Sequence, residues 1–195
     1  MDVSWPAEYC ISMTTQPKLI ILNGFAGIGK TTIARRYIDE HPLDLSLEGD
    51  TIIVMLGQWL TYEEKAREYV IALLKSMAAT HLRHGRSVLL PYLLTNARHA
   101  EEFERIARQQ NARFFEIYLF LEKEEALCRL LERGTWGEPG LPTITEKDLP
   151  EMSKLYDTMT AATVKRPKTI MLHPLKDDID QTYKAFLEAI EETDT

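Results

Sequence analysis

The sequence predicts an α/β domain of three layers: a five-stranded, mostly parallel sheet with helices on both faces and a short lid. Two observations predict it. Short apolar runs suited to strands alternate with segments at the helical period along the chain, the pattern from which parallel sheets are built. The first run, Leu19-Ile20-Ile21-Leu22, also leads straight into Gly24-Phe25-Ala26-Gly27-Ile28-Gly29-Lys30-Thr31 and then into a helical stretch starting Thr31-Thr32-Ile33-Ala34. Strand, GxxxxGK[ST] loop and helix thus stand in the order that phosphate binding requires. The 195 residues form one domain over 18–192, large enough to bury a core without disulfides or a structural metal. Residues 1–17, with Pro6, Pro17 and a second methionine at Met13, are expected to be a loose leader, and Met13 offers a second start for translation.

Each position of the loop has a chemical reason. Gly24, Gly27 and Gly29 let the main chain bend without Cβ clashes, so that the N–H groups of Phe25, Ala26, Ile28 and their neighbours turn toward phosphate oxygens. Lys30 supplies the charge for the β and γ phosphates, and the Thr31 hydroxyl is placed to ligate Mg²⁺. The N-terminus of the helix that holds Thr31 and Thr32 adds its partial positive charge. A nucleoside triphosphate with Mg²⁺ is the predicted ligand.

The remaining elements follow from period and punctuation. His41-Pro42 ends the loop helix, and Leu43 to Leu47 alternates as a second strand closing near Glu48-Gly49-Asp50. Thr61 and Glu64 have the form of a capping box for a long helix carried by Ala66, Val70, Leu73, Leu74, Met77 and Leu82, with Gly85 as its C-cap. Ser87 to Pro91 is an apolar run suited to a central strand, and a loop over 92–96 precedes a helix over 97–110. A fourth strand spans 114–121 and a helix 124–133. Gly134 to Pro142 holds three Gly and two Pro, continues neither period, and opens a lid segment running to about 145. Thr145 and Asp148 start a helix to Val164; a fifth strand over 168–173 and a closing helix over 179–190 complete the chain. Ligands of such sheets bind at the carboxyl ends of the strands, which selects the phosphate loop, Asp50, Pro91 to Asn96, and His173.

Composition narrows the partners. Lys and Arg number 23 against 30 Asp and Glu, a net charge of −7, which argues against a general nucleic-acid or anionic-membrane surface. No apolar run approaches the roughly 18 residues of a membrane span, and the N-terminus lacks a signal-peptide pattern. Cys10 and Cys128 have no metal-ligand spacing, so a reducing cytoplasmic location is expected. The protein is expected to act as a monomer or homodimer.

A phosphate loop does not by itself separate kinases from switches, hydrolases or motors. The chain is too short for a second mechanical domain and has no NKxD guanine-reading sequence, which favours a small-molecule kinase. Arg129 and Arg133 stand four apart on one helical face in Leu127-Cys128-Arg129-Leu130-Leu131-Glu132-Arg133-Gly134, ahead of the Gly/Pro segment. The alternative is a solvated pair contacting Glu125 and Glu132. This Arg-x-x-x-Arg-Gly resembles the nucleoside monophosphate kinase superfamily, a resemblance implying that Arg129 stacks on the adenine and Arg133 holds the transferring phosphoryl group. Leu45 to Asp50 is similar to the end of the second strand in gluconate kinase, chloramphenicol phosphotransferase and zeta-toxin kinases. That likeness implies that Asp50 meets the acceptor hydroxyl; a turn Asp is the alternative. Across 18–190 the chain resembles small bacterial P-loop ATPases or kinases, with one departure: Pro91 stands where many relatives carry an acid for Mg²⁺, which leaves Thr31, the phosphates, water and Asp50 or Glu48 to hold it. Gln58, Trp59, Tyr92, Asn96 and Arg98 are candidates for holding an acceptor, Trp59 and Tyr92 equally for packing. Arg166 either reaches phosphate or caps a helix, and His173 is expected near the adenine. The predicted activity is transfer of the ATP γ phosphate to a small-molecule acceptor. A nucleotide kinase and an ATP-dependent switch with slow hydrolysis are the rival readings.

Overall fold

The computed structural model describes residues 16–135, 142–174 and 178–191. Five strands, β1 (Lys18–Gly24), β2 (Leu45–Ser46), β3 (Val88–Pro91), β4 (Arg113–Leu119) and β5 (Ile170–Leu172), form one sheet in the order β2-β3-β1-β4-β5. All four neighbouring pairs are parallel. β1 takes the centre because Leu19, Ile20, Ile21 and Leu22 are all completely buried: with both faces apolar, only a position covered on both sides suits it.

The strand alternation sorts the helices. Ile20, Leu22 and Leu89 face α1 (Lys30–Glu40), α5 (Lys123–Arg133), α6 (Leu149–Val164) and α7 (Ile179–Glu191). Leu19, Ile21, Val88 and Leu90 face α2 (Gly49–Ile53), α3 (Glu63–Arg83) and α4 (Ala97–Gln109). The predicted three layers are present. α1 leaves β1 on one face and α4 leaves β3 on the other, so the loops after these adjacent strands diverge and open a crevice at their carboxyl ends.

Several boundaries differ from the sequence expectation. β2 is two residues long rather than five, because Leu43 adopts a positive φ of 68° and is exposed, which breaks the alternation before it can pair. Leu45 and Leu47 still donate main-chain hydrogen bonds to Ser87 and Leu89. Gly49 and Asp50, expected at the strand's end, instead begin the short helix α2, held by burial of Gly49 and Ile53. The capping box expected at Thr61 and Glu64 is not used: Tyr62 is the N-cap of α3 and no side chain caps it. The second, at Thr145 and Asp148, is present and starts a short 3₁₀ turn before α6. Gly85 has the left-handed φ of 72° expected just past the end of α3. Of the leader, Gln16 and Pro17 are described; Gln16 donates to the Asn111 carbonyl and Pro17 accepts from Arg113 N–H. Residues 1–15, and 136–141 of the lid segment, lie outside the described residues.

Candidate active site

The phosphate loop is anchored by its own apolar side chains. Phe25, Ala26 and Ile28 are buried in the core, Phe25 edge-on to Tyr156 of α6 with ring centroids 5.5 Å apart. The glycines between them turn the main chain outward: Gly27 and Gly29 have φ of 78° and 101°, and a Cβ on Gly24 would come within 2.9 Å of the Leu119 carbonyl oxygen on β4. Gly29 then N-caps α1, which starts at Lys30.

A cavity of about 780 Å³ opens over this loop at the carboxyl ends of the strands. Ala26, Gly27, Gly29, Lys30, Thr31 and Thr32 form its floor; Glu48 and Asp50 enter from the β2 side, Pro91 to Thr95 from β3, and Arg133 from the end of α5. Glu63, Arg67 and Glu68 close one wall from α3, and Asp148, Glu151 and Met152 another from the start of α6. Lys30 Nζ donates to the carbonyls of Gly24 (2.7 Å) and Phe25 (2.8 Å). Burial lowers the Lys30 ammonium to about 8; the Asp50 carboxylate works against that shift and the Arg133 guanidinium adds to it. Three residues remote in sequence, Lys30, Asp50 and Arg133, therefore share one electrostatic environment.

The loop after β3 is fixed by Asn23. Its buried side chain accepts from Gly24 N–H (2.9 Å) and Leu94 N–H (3.0 Å) and donates to the Leu94 carbonyl (3.3 Å). Tyr92, two residues earlier, lies over Gly49: a Cβ there would meet the Tyr92 ring at 2.2 to 3.0 Å, so only glycine fits. Burial pushes the Tyr92 hydroxyl up, Asp50 adds to the shift, and the Arg67 guanidinium offsets part of it.

The remaining candidates sort by position. Trp59 and Tyr92 line the cavity, whereas Gln58, Asn96 and Arg98 are not among its lining residues. Asn96 caps α4 by accepting from Arg98 N–H, and Arg98 pairs with Glu102. Arg129 is also outside the lining; its guanidinium bonds Glu125 at 2.7 Å, and its main chain backs Gly27. Stacking on a base uses the face of the guanidinium and is compatible with that edge-on ion pair. The Arg166 side chain bonds Glu104 and Glu116 at 2.8 Å each, while its main-chain N–H donates to the Thr163 carbonyl at the end of α6. The His173 ring lies 5.3 Å, edge-on, from Phe120. Sequence reasoning missed Asn23, Glu63, Arg67 and His99, since a polar residue inside a strand or on a helix flank carries no signal until the partner element is placed. Thr135 and Thr143 pair across the base of the lid segment, and Ile144 N–H donates to the Gly134 carbonyl.

The profile of the AAA domain family (AAA_33) matches residues 19–152, from the first core strand into the start of α6. The chain belongs to the AAA domain family. Solved structures with the same fold include a protein assigned as a kinase from Chloroflexus aurantiacus J-10-fl, with TM-score 0.64 and 16% identity over 90% of this chain and 99% of that one. A gluconokinase from Sinorhizobium meliloti 1021 gives TM-score 0.58 and 14% identity over 89% and 93% of the two chains. The APS kinase CysC of Mycobacterium tuberculosis, solved with AMPPNP and APS, gives 0.55 and 18% over 90% and 98%. No curated protein matches the sequence. This AAA domain thus shares the α/β fold of these solved kinases.

Proposed function

We propose that the protein is an ATP-dependent kinase that moves the γ-phosphoryl group to a hydroxyl-bearing small molecule. The observation that carries this reading is the convergence of Lys30, Asp50 and Arg133 on one cavity above a phosphate loop. A cavity of about 780 Å³ is of a size to hold a triphosphate tail and a second small molecule together.

In this reading the N–H groups of residues 24–32 hold the β and γ phosphates and Lys30 rotates from the loop carbonyls onto them. The acceptor oxygen attacks the γ phosphorus in line, the bond from that phosphorus to the β–γ bridging oxygen breaks, and Asp50 takes the hydroxyl proton. Arg133 meets charge as it develops on the phosphoryl oxygens. The donors present suit Mg²⁺ in a phosphate-held form: Thr31 and the carboxylates of Asp50 and Glu48 line the cavity, while no group of three or more His, Cys, Asp or Glu among the described residues makes a metal cage. Mg²⁺ ordinarily keeps several waters and takes only one or two protein ligands in such sites, and when bound it neutralises charge on the β and γ oxygens. Arg129 is assigned to the adenine, and residues 134–145 to a lid carrying Arg133. A cytoplasmic location and a monomer or homodimer complete the proposal; among the described residues no helix is long and apolar enough to cross a membrane.

The test is a screen of sugars, polyols, nucleosides, nucleotides and antibiotics with Mg·ATP, read by ADP release and thermal shift, with Lys30→Ala as the control. One class should give acceptor-dependent ADP release that the variant loses. Release confined to nucleotides identifies a nucleotide kinase. Slow hydrolysis indifferent to every acceptor identifies a switch.

A further inference from the structure

On the acceptor side of the cavity, α3 presents Glu63 and Arg67, one turn apart, to the space beside Asp50. Arg67 Nε and Nη2 both donate to Glu63 Oε1, at 3.0 and 2.6 Å. These two nitrogens form one of the two edges with which a guanidinium takes a carboxylate or phosphate in bidentate fashion, and here an oxygen of the protein's own carboxylate has it. Tyr92, whose ring is seated on Gly49, next to Asp50, lines the same cavity as Arg67, and the guanidinium holds its hydroxyl partly down. Both partners of the ion pair are about half exposed, and such one-turn pairs contribute little to folding. Its consequence is for what the cavity can recognise.

We propose that the Glu63–Arg67 pair, backed by Tyr92, reads an uncharged polyhydroxylated acceptor, a sugar or polyol, and discriminates against acceptors carrying a carboxylate or phosphate. This rests on the kinase reading above. A hydroxyl both donates and accepts, so two neighbouring hydroxyls satisfy the pair without breaking it: one accepts from Arg67 while the other donates to Glu63. An anionic group must instead displace Glu63 or take the remaining Nη1 side of the guanidinium, and in either place it lies against that carboxylate, with Glu68, Glu48 and Asp50 also lining the cavity. Among the described residues the other lysine and arginine of the lining, Lys30 and Arg133, stand at the phosphoryl end. Sites built on paired polar groups reject the ligand that leaves one of them unmatched.

The experiment measures acceptor kcat/KM with Mg·ATP for two probe sets, ribitol, myo-inositol and methyl glucoside against gluconate, ribose 5-phosphate and AMP. It uses the wild-type protein, Glu63→Gln and Arg67→Ala. The neutral set is expected to exceed the anionic set in the wild type by roughly tenfold or more. Glu63→Gln, which frees the guanidinium and removes the repelling charge, should shift that ratio toward the anions by a similar factor, through acceptor KM and with ATP KM unchanged. Arg67→Ala should raise acceptor KM for the neutral set, again without moving ATP KM, a split that a merely structural role would not produce. Preference of the wild type for the anionic set, or a ratio that Glu63→Gln leaves unmoved, overturns the proposal. Failure of all six probes also overturns it. In that case ADP release with another acceptor class, lost in Lys30→Ala, leaves the kinase reading standing, and its absence with every class removes both.

Discussion

Lys30 shows how one side chain carries both an energetic penalty and a function. Burial disfavours its ammonium, so its pKa falls to about 8 while the unfolded chain keeps the ordinary value of 10.5. Between those values the unfolded chain binds more protons, so this residue's destabilising effect is full below about pH 8 and is relieved as pH rises toward 10.5. Phosphate favours the charged form, so binding ATP above pH 8 draws a proton onto Lys30. Affinity for ATP, measured by titration calorimetry across that pH, should be level below it and fall by up to about tenfold per pH unit above it. A flat profile would show that Lys30 keeps its proton without phosphate. Asp50 is tested separately: Asp50→Asn keeps the shape and removes the proton acceptor, so kcat with an acceptor from the screen should drop roughly 10²- to 10⁴-fold with ATP affinity nearly unchanged. A shift in ATP affinity and Mg²⁺ dependence instead would make it a metal-shell residue.

Elements meet at the site through few residues. Asn23, at the end of β1, holds both the first amide of the phosphate loop and the two main-chain groups of Leu94 beyond β3. Asn23→Ala leaves those Leu94 groups unpaired in the interior, for which a loss of about 2–3 kcal/mol in urea-measured stability is expected. The loop carrying Tyr92 should loosen with it, raising acceptor KM more than ATP KM. A variant as stable as the wild type would show that water replaces the side chain. α2 illustrates the same economy of contact. At five residues it is too short to show a helical period, yet it sets Asp50 over the cavity because Gly49 admits the Tyr92 ring.

Across the whole molecule, Arg166, just past α6, bonds Glu116 in the middle of β4 and Glu104 on α4, so one guanidinium joins the two helical layers through the sheet. Burial raises the Glu116 carboxyl above its ordinary range, and Arg166 holds it partly down. With its folded pKa raised, Glu116 binds its proton more tightly in the folded state, so its contribution to stability is greatest in acid and declines as pH rises. Arg166→Met removes the compensating charge, and about 3–5 kcal/mol should be lost near neutral pH, less at acid pH where Glu116 accepts a proton. Denaturant melts at the two pH values check this. An equal loss at both would place the effect in packing.

The sequence by itself determined the phosphate loop, the alternation of strands and helices, and with them the three-layer fold. These signals are local: a glycine spacing, a period of two or 3.6, a capping box at Thr145. It did not determine that β1 lies between β3 and β4, that β2 is cut short at Leu43, or that Arg166 turns to Glu104 and Glu116. Nor did it bring Glu63 and Arg67 to the wall of the cavity that Tyr92 also lines. Those contacts join residues far apart in the chain, and no local period records which distant element a polar side chain will face; only packing the helices on the two faces of the sheet decides it.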